Sequence, residues 1–293
     1  MKKKIFALGF FDGVHLGHQA LLTACRELAT KGNCTTAAIT FDAHPQSMFT
    51  SEPPKLLTTL PDRIRLLRDY GMEQVITLPV TPEVMSTPWE QFLQTLVERG
   101  AAGFVCGNDF RFGHRGEGNA QRLSQFCKER ALPCAIVEEQ LLNGIRISST
   151  HIRGLIARGD MAEAEAMLGH PHVLTGEVVH GKALGRTIGI PTANLLLPAD
   201  VTCPAFGVYA CEAVVEGKCY MAVTNVGVRP TVSGEGVTVE PWLLDFRGDL
   251  YGKELTLRFY AYLRPEQKFD SLGQLQAEIQ KNAAQTREIF GRK

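Results

Sequence analysis

Residues 5–18 read Ile5-Phe6-Ala7-Leu8-Gly9-Phe10-Phe11-Asp12-Gly13-Val14-His15-Leu16-Gly17-His18. The apolar run 5–10 is strand-like. Residues 19–30 then have helical spacing, with Leu21, Leu22, Cys25 and Leu28 on one face. A strand, a glycine-bearing turn and a helix therefore follow in immediate succession, and the helix opens on a pair of histidines. The same alternation continues downstream. Strands are predicted over 35–41, 74–78, 103–106 and 134–137, and helices over 62–70, 89–99 and 119–130. Alternating strands and helices imply a parallel sheet with helices on both faces. Such a sheet binds ligands beyond the carboxyl ends of its strands.

From about Pro171 the helical period disappears until Leu272. Short β-branched runs replace it over 173–179, 207–215, 220–226, 237–246 and 255–262, separated by Gly and Pro. They predict a small antiparallel barrel closed by a terminal helix over 272–290. The segment Gly169-His170-Pro171-His172 is the expected boundary, giving domains 1–169 and 172–293. A chain of 293 residues fits two domains at about 150 residues each.

Composition narrows the function. Lys+Arg and Asp+Glu both number 31, so the formal charge is zero. A broad electrostatic grip on nucleic acid or anionic lipid is not favoured, and no nucleic-acid partner is expected. No apolar run reaches 18 residues, so no membrane span is expected. The start, basic then apolar and meeting Asp12 at once, reads as a first strand rather than a leader peptide. Eight cysteines lack any CxxC pair or zinc-type spacing. They read as reduced structural thiols in a cytoplasmic protein.

The first candidate site follows strand one. A helix N-terminus offers free N–H groups and the positive end of a dipole to a phosphate. Gly13 and Gly17 permit close approach of backbone and ligand. His15 and His18, three apart, can share a face and donate to phosphate oxygens as charge develops. Other pieces are predicted at the same strand ends. These are Phe41-Asp42-Ala43-His44-Pro45, Gly107-Asn108-Asp109-Phe110-Arg111-Phe112-Gly113 and Ile147-Ser148-Ser149-Thr150-His151-Ile152-Arg153. The last is read as leaving the domain's final strand and entering a helix. Ser149 or Thr150 can cap that helix, and Arg153 can face a phosphate one turn in.

The second candidate site lies in residues 176–194, GEVVHGKALGRTIGIPTAN. Gly181, Gly185 and Gly189 make a loop rich in exposed N–H groups, suited to wrapping phosphates. Lys182 and Arg186 add charge, and Thr192 and Asn194 offer neutral oxygens to Mg²⁺ or a phosphate. No Lys-Ser/Thr pair follows, so this is not the GxxxxGK[ST] loop.

The HxGH after a first strand and the SSTxxR segment resemble the nucleotidyltransferase superfamily. GFFDGVHLGH, GNDFRFG and ISSTHIR resemble the adenylyltransferase half of the bacterial bifunctional riboflavin kinase/FAD synthetase family. Independently, the GxVxxGxxxGRxxGxPTAN string resembles riboflavin kinase. So do Asn225–Thr231 (NVGVRPT), Val239-Glu240 with 243–252, and 263–269 (LRPEQKF). The resemblance spans about 4–290. It implies an N-terminal Rossmann-like nucleotidyltransferase (FMN adenylyltransferase) domain with a parallel sheet. It also implies a C-terminal riboflavin kinase-like β-barrel with a terminal helix. The reactions implied are ATP-dependent phosphorylation of riboflavin to FMN, then adenylylation of FMN to FAD with release of pyrophosphate. ATP would be the co-substrate and Mg²⁺ the cofactor; the partners would be riboflavin, FMN and ATP, and the chain a monomer or transient oligomer.

Residue roles follow from the same resemblance. Glu240 would accept the ribityl hydroxyl proton. His15, His18, Ser149 and Arg153 would steady the phosphates of FAD synthesis. Gly9, Phe10, Asp12, Gly17 and Thr150 would contact ATP there, as would Gly181, Lys182, Gly185 and Arg186 in the kinase. Thr192 and Asn194 would hold Mg²⁺. Asn108, Phe110 and Phe112 would lie near flavin or adenine, and Arg264 would help hold the flavin. Two departures stand out. Pro241 follows Glu240 and, lacking an N–H, predicts an edge or a bulge. Asn282 occupies a position in the last helix where the family commonly has an acid. A different phosphate-ester substrate for the first half leaves the PTAN segment unexplained. A non-catalytic flavin binder leaves both sets of phosphate-handling residues unexplained.

Overall fold

The computed structural model describes residues 2–180, 189–231 and 234–291. The chain forms two compact units, Met1–Leu56 with Leu60–Ser149, and Leu57–Thr59 with Thr150–Lys293.

The first unit is built on strands β1 (Lys4–Leu8), β2 (Thr35–Phe41), β3 (Gln74–Leu78), β4 (Ala101–Gly107) and β5 (Cys134–Val137). They form a parallel sheet in the order β3-β2-β1-β4-β5. β1 shows why its sequence is apolar from Ile5 onward. Ile5 and Ala7 face one layer, with Leu21, Leu22 and Cys25 of helix α1 (Leu16–Gly32). Phe6 and Leu8 face the other, where Phe6 stacks on Phe104 at 6.2 Å. Leu93 and Leu96 of α4 (Trp89–Glu98) and Leu123 and Phe126 of α5 (Ala120–Glu129) complete that second layer. Helices α2 (Leu60–Asp69) and α3 (Pro82–Met85) complete the βα alternation. The two layers bury both faces of the sheet, as the strand–helix alternation predicts. β1 pairs with β2 on one side and β4 on the other. The chain thus reverses its winding direction there, and the 9–18 segment leaves β1 at the switch point.

One expectation is corrected. The strand before Ser148 is not a strand of this sheet. It is β7 (Ile145–Arg146), which pairs antiparallel with β6 (Leu141–Leu142) in a separate hairpin. Asn143 and Gly144, at φ 52° and 79°, form its turn. An Asn-Gly pair is the residue combination that a two-residue hairpin turn of this hand favours.

The second unit begins with α6 (Ser149–Arg158), whose first residue belongs to the other unit, and α7 (Met161–Leu168). It continues with β8 (His172–Glu177), β9 (Leu195–Leu196), β10 (Gly207–Val215), β11 (Lys218–Thr231), β12 (Gly234–Leu243) and β13 (Glu254–Arg264). These pair antiparallel in the order β8-β13-β10-β11-β12-β9. The ring closes beyond its ends, where the Val179 N–H donates to the Asn194 carbonyl at 2.9 Å. Gly207 is obligatory at φ 151°, because a Cβ there would strike the Arg264 carbonyl. The terminal helix α8 (Leu272–Gly291) lays Ala283 against Val208, Val223 and Leu244. α7 packs on β8 and β13. All eight cysteines are free thiols.

Candidate active sites

In the first unit, the loop after β1 holds three left-handed residues within four positions: Phe11 (φ 58°), Gly13 (φ 78°) and Val14 (φ 43°). Such a conformation costs a non-glycine residue about 1–3 kcal/mol and persists only where packing dictates it. Phe11 and Val14 are both fully buried, which supplies that packing. A Cβ on Gly9 would lie 2.9 Å from the Phe11 ring, so Gly9 is there for the ring's sake.

His15 is the N-cap of α1, and its Nδ1 accepts from the His18 N–H at 3.4 Å. That bond leaves Nε2 of a neutral His15 to carry the proton. The His18 ring stacks on His15 at 3.7 Å and 15°. Burial, then the neighbouring His15 and Arg63, hold the His18 pKa well below the ordinary imidazole value. Its Nδ1 is buried and makes no hydrogen bond within the protein. Gly17 is pressed against the same group, a Cβ there lying 3.1 Å from the His15 ring. Asp12 is buried, and its carbonyl accepts from the Ser149 hydroxyl at 3.0 Å. Ser149, first residue of α6, and Asp12 both belong to the first unit. On the same helix Thr150 Oγ1 accepts from Arg153 Nη2 at 2.8 Å.

Phe10 is held from three sides. Its carbonyl accepts from the Thr40 hydroxyl at 2.6 Å, His44 meets its ring edge-on at 5.1 Å, and the Arg63 guanidinium lies 4.3 Å over the ring. Arg63 is the residue that sequence reading misses. It is wholly buried and donates to the Phe41 carbonyl and the Thr40 hydroxyl. Its place one turn before Leu67, on the buried face of α2, is the only trace it leaves in the sequence.

The GNDFRFG segment divides. Asn108 donates to Glu138 Oε2 at 2.5 Å and lines a cavity of about 500 Å³ with Ser124, Lys128 and Glu138. Phe110 stacks on Phe112 at 5.8 Å. Phe112 turns inward, 7% exposed, into the core with Phe92.

In the second unit, β9 sets the site. Leu195 pairs with Val239 and Leu196 with Thr238, and the Ala193 N–H donates to the Pro241 carbonyl at 2.9 Å. The same register sets Asn194 opposite Glu240, with Thr192 two residues beyond. Glu240 is 7% exposed, pairs with Asn225 across β11, and accepts from the Thr238 hydroxyl at 3.2 Å.

Of the edge or bulge expected at Pro241, the bulge is absent: the β11–β12 register runs unbroken through Thr224–Pro241, while the β9 ladder pairs only Thr238 and Val239 and stops short of Pro241. The reason is directional. In an antiparallel ladder a residue's N–H and C=O point to the same neighbour. The Pro241 carbonyl points to Ala193, so its missing N–H falls on the side of the short β9 and removes no bond from the β11–β12 ladder.

Arg264 ends β13, and its side chain turns to the terminal helix. Nε donates to Asn282 Oδ1 at 3.1 Å, and Nη1 donates to the Pro265 carbonyl at 3.0 Å. Burial lowers its pKa. Glu266, two residues on, accepts from Asn225 Nδ2 at 3.3 Å. The predicted Gly181, Lys182, Gly185 and Arg186 lie outside the described residues. The oxygen donors Thr192, Asn194 and Glu240 suit a hard cation such as Mg²⁺.

Comparison with known proteins gives concordant matches for both units. The FAD synthetase family profile matches residues 1–151, and the riboflavin kinase profile matches residues 168–290. A curated bifunctional riboflavin kinase/FMN adenylyltransferase of Escherichia coli K12 is 38% identical, over 98% of this chain and 93% of its own. Another of Listeria monocytogenes is 34% identical, over 99% and 93%. A solved chain from Streptococcus pneumoniae, titled a macrolide-efflux protein, superposes with a TM-score of 0.87 at 32% identity, covering 98% of this chain and 94% of its own. Among the described residues here, no helix is long and apolar enough to cross a membrane.

Proposed function

The chain belongs to the bifunctional riboflavin kinase/FMN adenylyltransferase family, with both its kinase and FAD synthetase domains, and on that premise we propose which residues carry the two reactions. In the kinase, domain 172–293, Glu240 accepts the proton of the ribityl 5′-hydroxyl as that oxygen attacks the γ-phosphorus of ATP and ADP departs. One observation supports this assignment: the strand register that the Ala193–Pro241 backbone bond continues sets residue Asn194 opposite Glu240. Thr238 orients the carboxylate through its hydroxyl. Phosphoryl transfer needs alignment and charge neutralisation more than covalent help. Bound Mg²⁺, held by Thr192 and Asn194, would neutralise phosphate charge. Gly181, Lys182, Gly185 and Arg186 cover the ATP phosphates. Arg264 holds the chain segment that lies along the flavin.

In domain 1–169 the FMN phosphate is itself the nucleophile. It attacks the α-phosphorus of a second ATP, and pyrophosphate leaves. No protein nucleophile is needed. His15 and His18 donate to the α-phosphate as negative charge accumulates, and Gly9, Phe10, Asp12 and Gly17 shape the approach. A neutral His18 still carries one ring N–H, with which it can donate to a phosphate oxygen. Ser149, Thr150 and Arg153 steady the departing pyrophosphate. Asn108, with Phe110 and Phe112 behind it, borders the ring site. The chain works in the cytoplasm as a monomer or transient oligomer, without a nucleic-acid or membrane partner.

A timed incubation with riboflavin, ATP and Mg²⁺, products resolved by chromatography with flavin fluorescence, tests the reading. FMN should appear first and FAD follow. FMN alone would remove the assigned substrate of the His15/His18 site. No phosphorylated flavin, with oxidised or reduced riboflavin, would overturn both assignments.

A further inference from the structure

Asn282 is 1% exposed in the middle of α8, where it is buried beside Ala283 and Thr286. Its amide is fully engaged. Oδ1 accepts from Arg264 Nε at 3.1 Å and Nδ2 donates to Gln285 Oε1 at 3.3 Å. Glu278, one turn earlier, approaches the same Nε at 3.6 Å. The guanidinium is thus fixed from the helix side, and its Nη1 fixes in turn the carbonyl of Pro265, the first residue of the segment leaving β13. The next residue is Glu266. Its carboxylate accepts from Asn225 Nδ2 and lies directly on the backbone of Gly227, so closely that a Cβ there would collide with it. Asn225 and Gly227 are the β11 partners of Glu240 and Thr238. Directly opposed residues of an antiparallel pair project to the same face. Thr238 completes the line, donating to Glu240 Oε1.

We infer that Asn282 is a positioning residue for riboflavin phosphorylation: through Arg264 it sets the 265–266 segment, and through Glu266 it sets Asn225 beside Glu240. The inference rests on Glu240 being the kinase base. From Asn282 to Asn225 the links are hydrogen bonds and one peptide step, the last link is the cross-strand pairing of Asn225 with Glu240, and no residue on the line needs to touch substrate except Glu240. Asn282 is neutral where Arg264 already has one carboxylate, Glu278, within reach. An aspartate at 282 retains the acceptor for Arg264 Nε, and the Gln285 amide can turn to donate to it. An alanine retains neither.

The test is steady-state kinetics on the full chain, with FMN adenylylation as an internal control. Asn282→Ala should lower kcat for riboflavin phosphorylation about tenfold or more, the order that a displaced catalytic geometry produces. The KM for ATP and the rate of FAD formation from supplied FMN should stay within about twofold, and Asn282→Asp should recover kcat to within about threefold. Glu266→Ala, which leaves α8 untouched, should reproduce the kcat loss if the alanine variant does not fold. Wild-type kinase kinetics in Asn282→Ala or in Glu266→Ala would overturn the inference. So would equal loss of both activities in Asn282→Ala and Asn282→Asp, which marks a purely structural role. Failure of the parent reading shows elsewhere: Glu240→Gln would then phosphorylate riboflavin normally while the wild type remains active.

Discussion

The imidazoles of His15 and His18 lie face to face, ring centroids 3.7 Å apart, with the Nδ1 of the first capping the helix that carries the second. Two stacked rings cannot both be protonated cheaply, since like charges at that distance repel. His18, its pKa held well below the ordinary imidazole value by burial and by His15, therefore enters the reaction neutral and gains charge stabilisation only as phosphate charge develops. Replacing both with alanine should reduce FAD formation from FMN by about 10³-fold or more, the scale of losing preorganised oxyanion donors. FMN formation from riboflavin should continue, as chromatography of the two flavins will show. Retained FAD synthesis would remove the pair from the site.

Glu240→Gln keeps the shape and the Thr238 hydrogen bond of the kinase carboxylate but cannot accept a proton. Riboflavin phosphorylation should fall by about 10²–10⁴-fold, the usual contribution of a positioned base. FAD made from supplied FMN should be unaffected. An unchanged kinase rate would reject the assignment.

His172, 2% exposed at the start of β8 with its Nε2 unbonded, has its pKa pushed down to about 4 by burial, with His170 adding to the effect. In the unfolded chain the ordinary value is about 6.5. Between those values the unfolded state binds the extra proton, so stability is present above about pH 6.5 and is lost as the pH falls toward 4. From pH 7 to pH 5 the loss from this one residue is about 2 kcal/mol. Urea unfolding at the two pH values measures it. A His172→Leu variant should show a slope smaller by that amount, and an identical slope would place the acid sensitivity elsewhere.

The thiols divide by environment. Burial raises the pKa of Cys25 to about 11 and of Cys106 and Cys211 to about 12. Cys134 moves the other way, because the Cys127 thiol donates to it. The thiolate is the reactive species. Iodoacetamide at mildly alkaline pH should therefore modify Cys134 in the native protein, and also Cys219, which is exposed although burial and Glu212 raise its thiol pKa. Cys25, Cys106 and Cys211 should react only after denaturation, as peptide mass spectrometry will read. Rapid native labelling of Cys25 would contradict its place against the Ile5 carbonyl.

The architecture was legible because its signals are local. The apolar 5–10 run, the 3.6-residue period of 19–30 and the switch to short β-branched runs after Pro171 each report burial on the scale of one element. The hairpin at Leu141–Arg146 carried an equally local signal, Asn143-Gly144, overlooked because the runs beside it are only two residues long. What sequence conceals is directional. Pro241 looked disruptive because the sequence does not say which neighbour a strand residue's N–H faces. Arg63 looked like one more surface cation in a charged helix, because nothing in the sequence places the Phe41 carbonyl and the Phe10 ring within its reach. Phe110 and Phe112 look alike on the page, yet Phe112 is buried in the core while Phe110 packs only partly buried against the same cluster.

Helices α6 and α7 belong by their packing to the barrel unit, although the FAD synthetase match ends at residue 151 and the kinase match begins at 168. The Ala205 N–H bonds to the Ile156 carbonyl, Gly159 sits against the Tyr262 ring, and α7 rests on β8 and β13. This has an evolutionary consequence. A gene split at the junction 169–172 would strand Leu155, Ile156, Met161 and Met167 without the surface that covers them, and the orphaned first product would be sticky. A lineage dividing these two activities between separate genes must either break the chain before this helix pair or repaint it with polar residues.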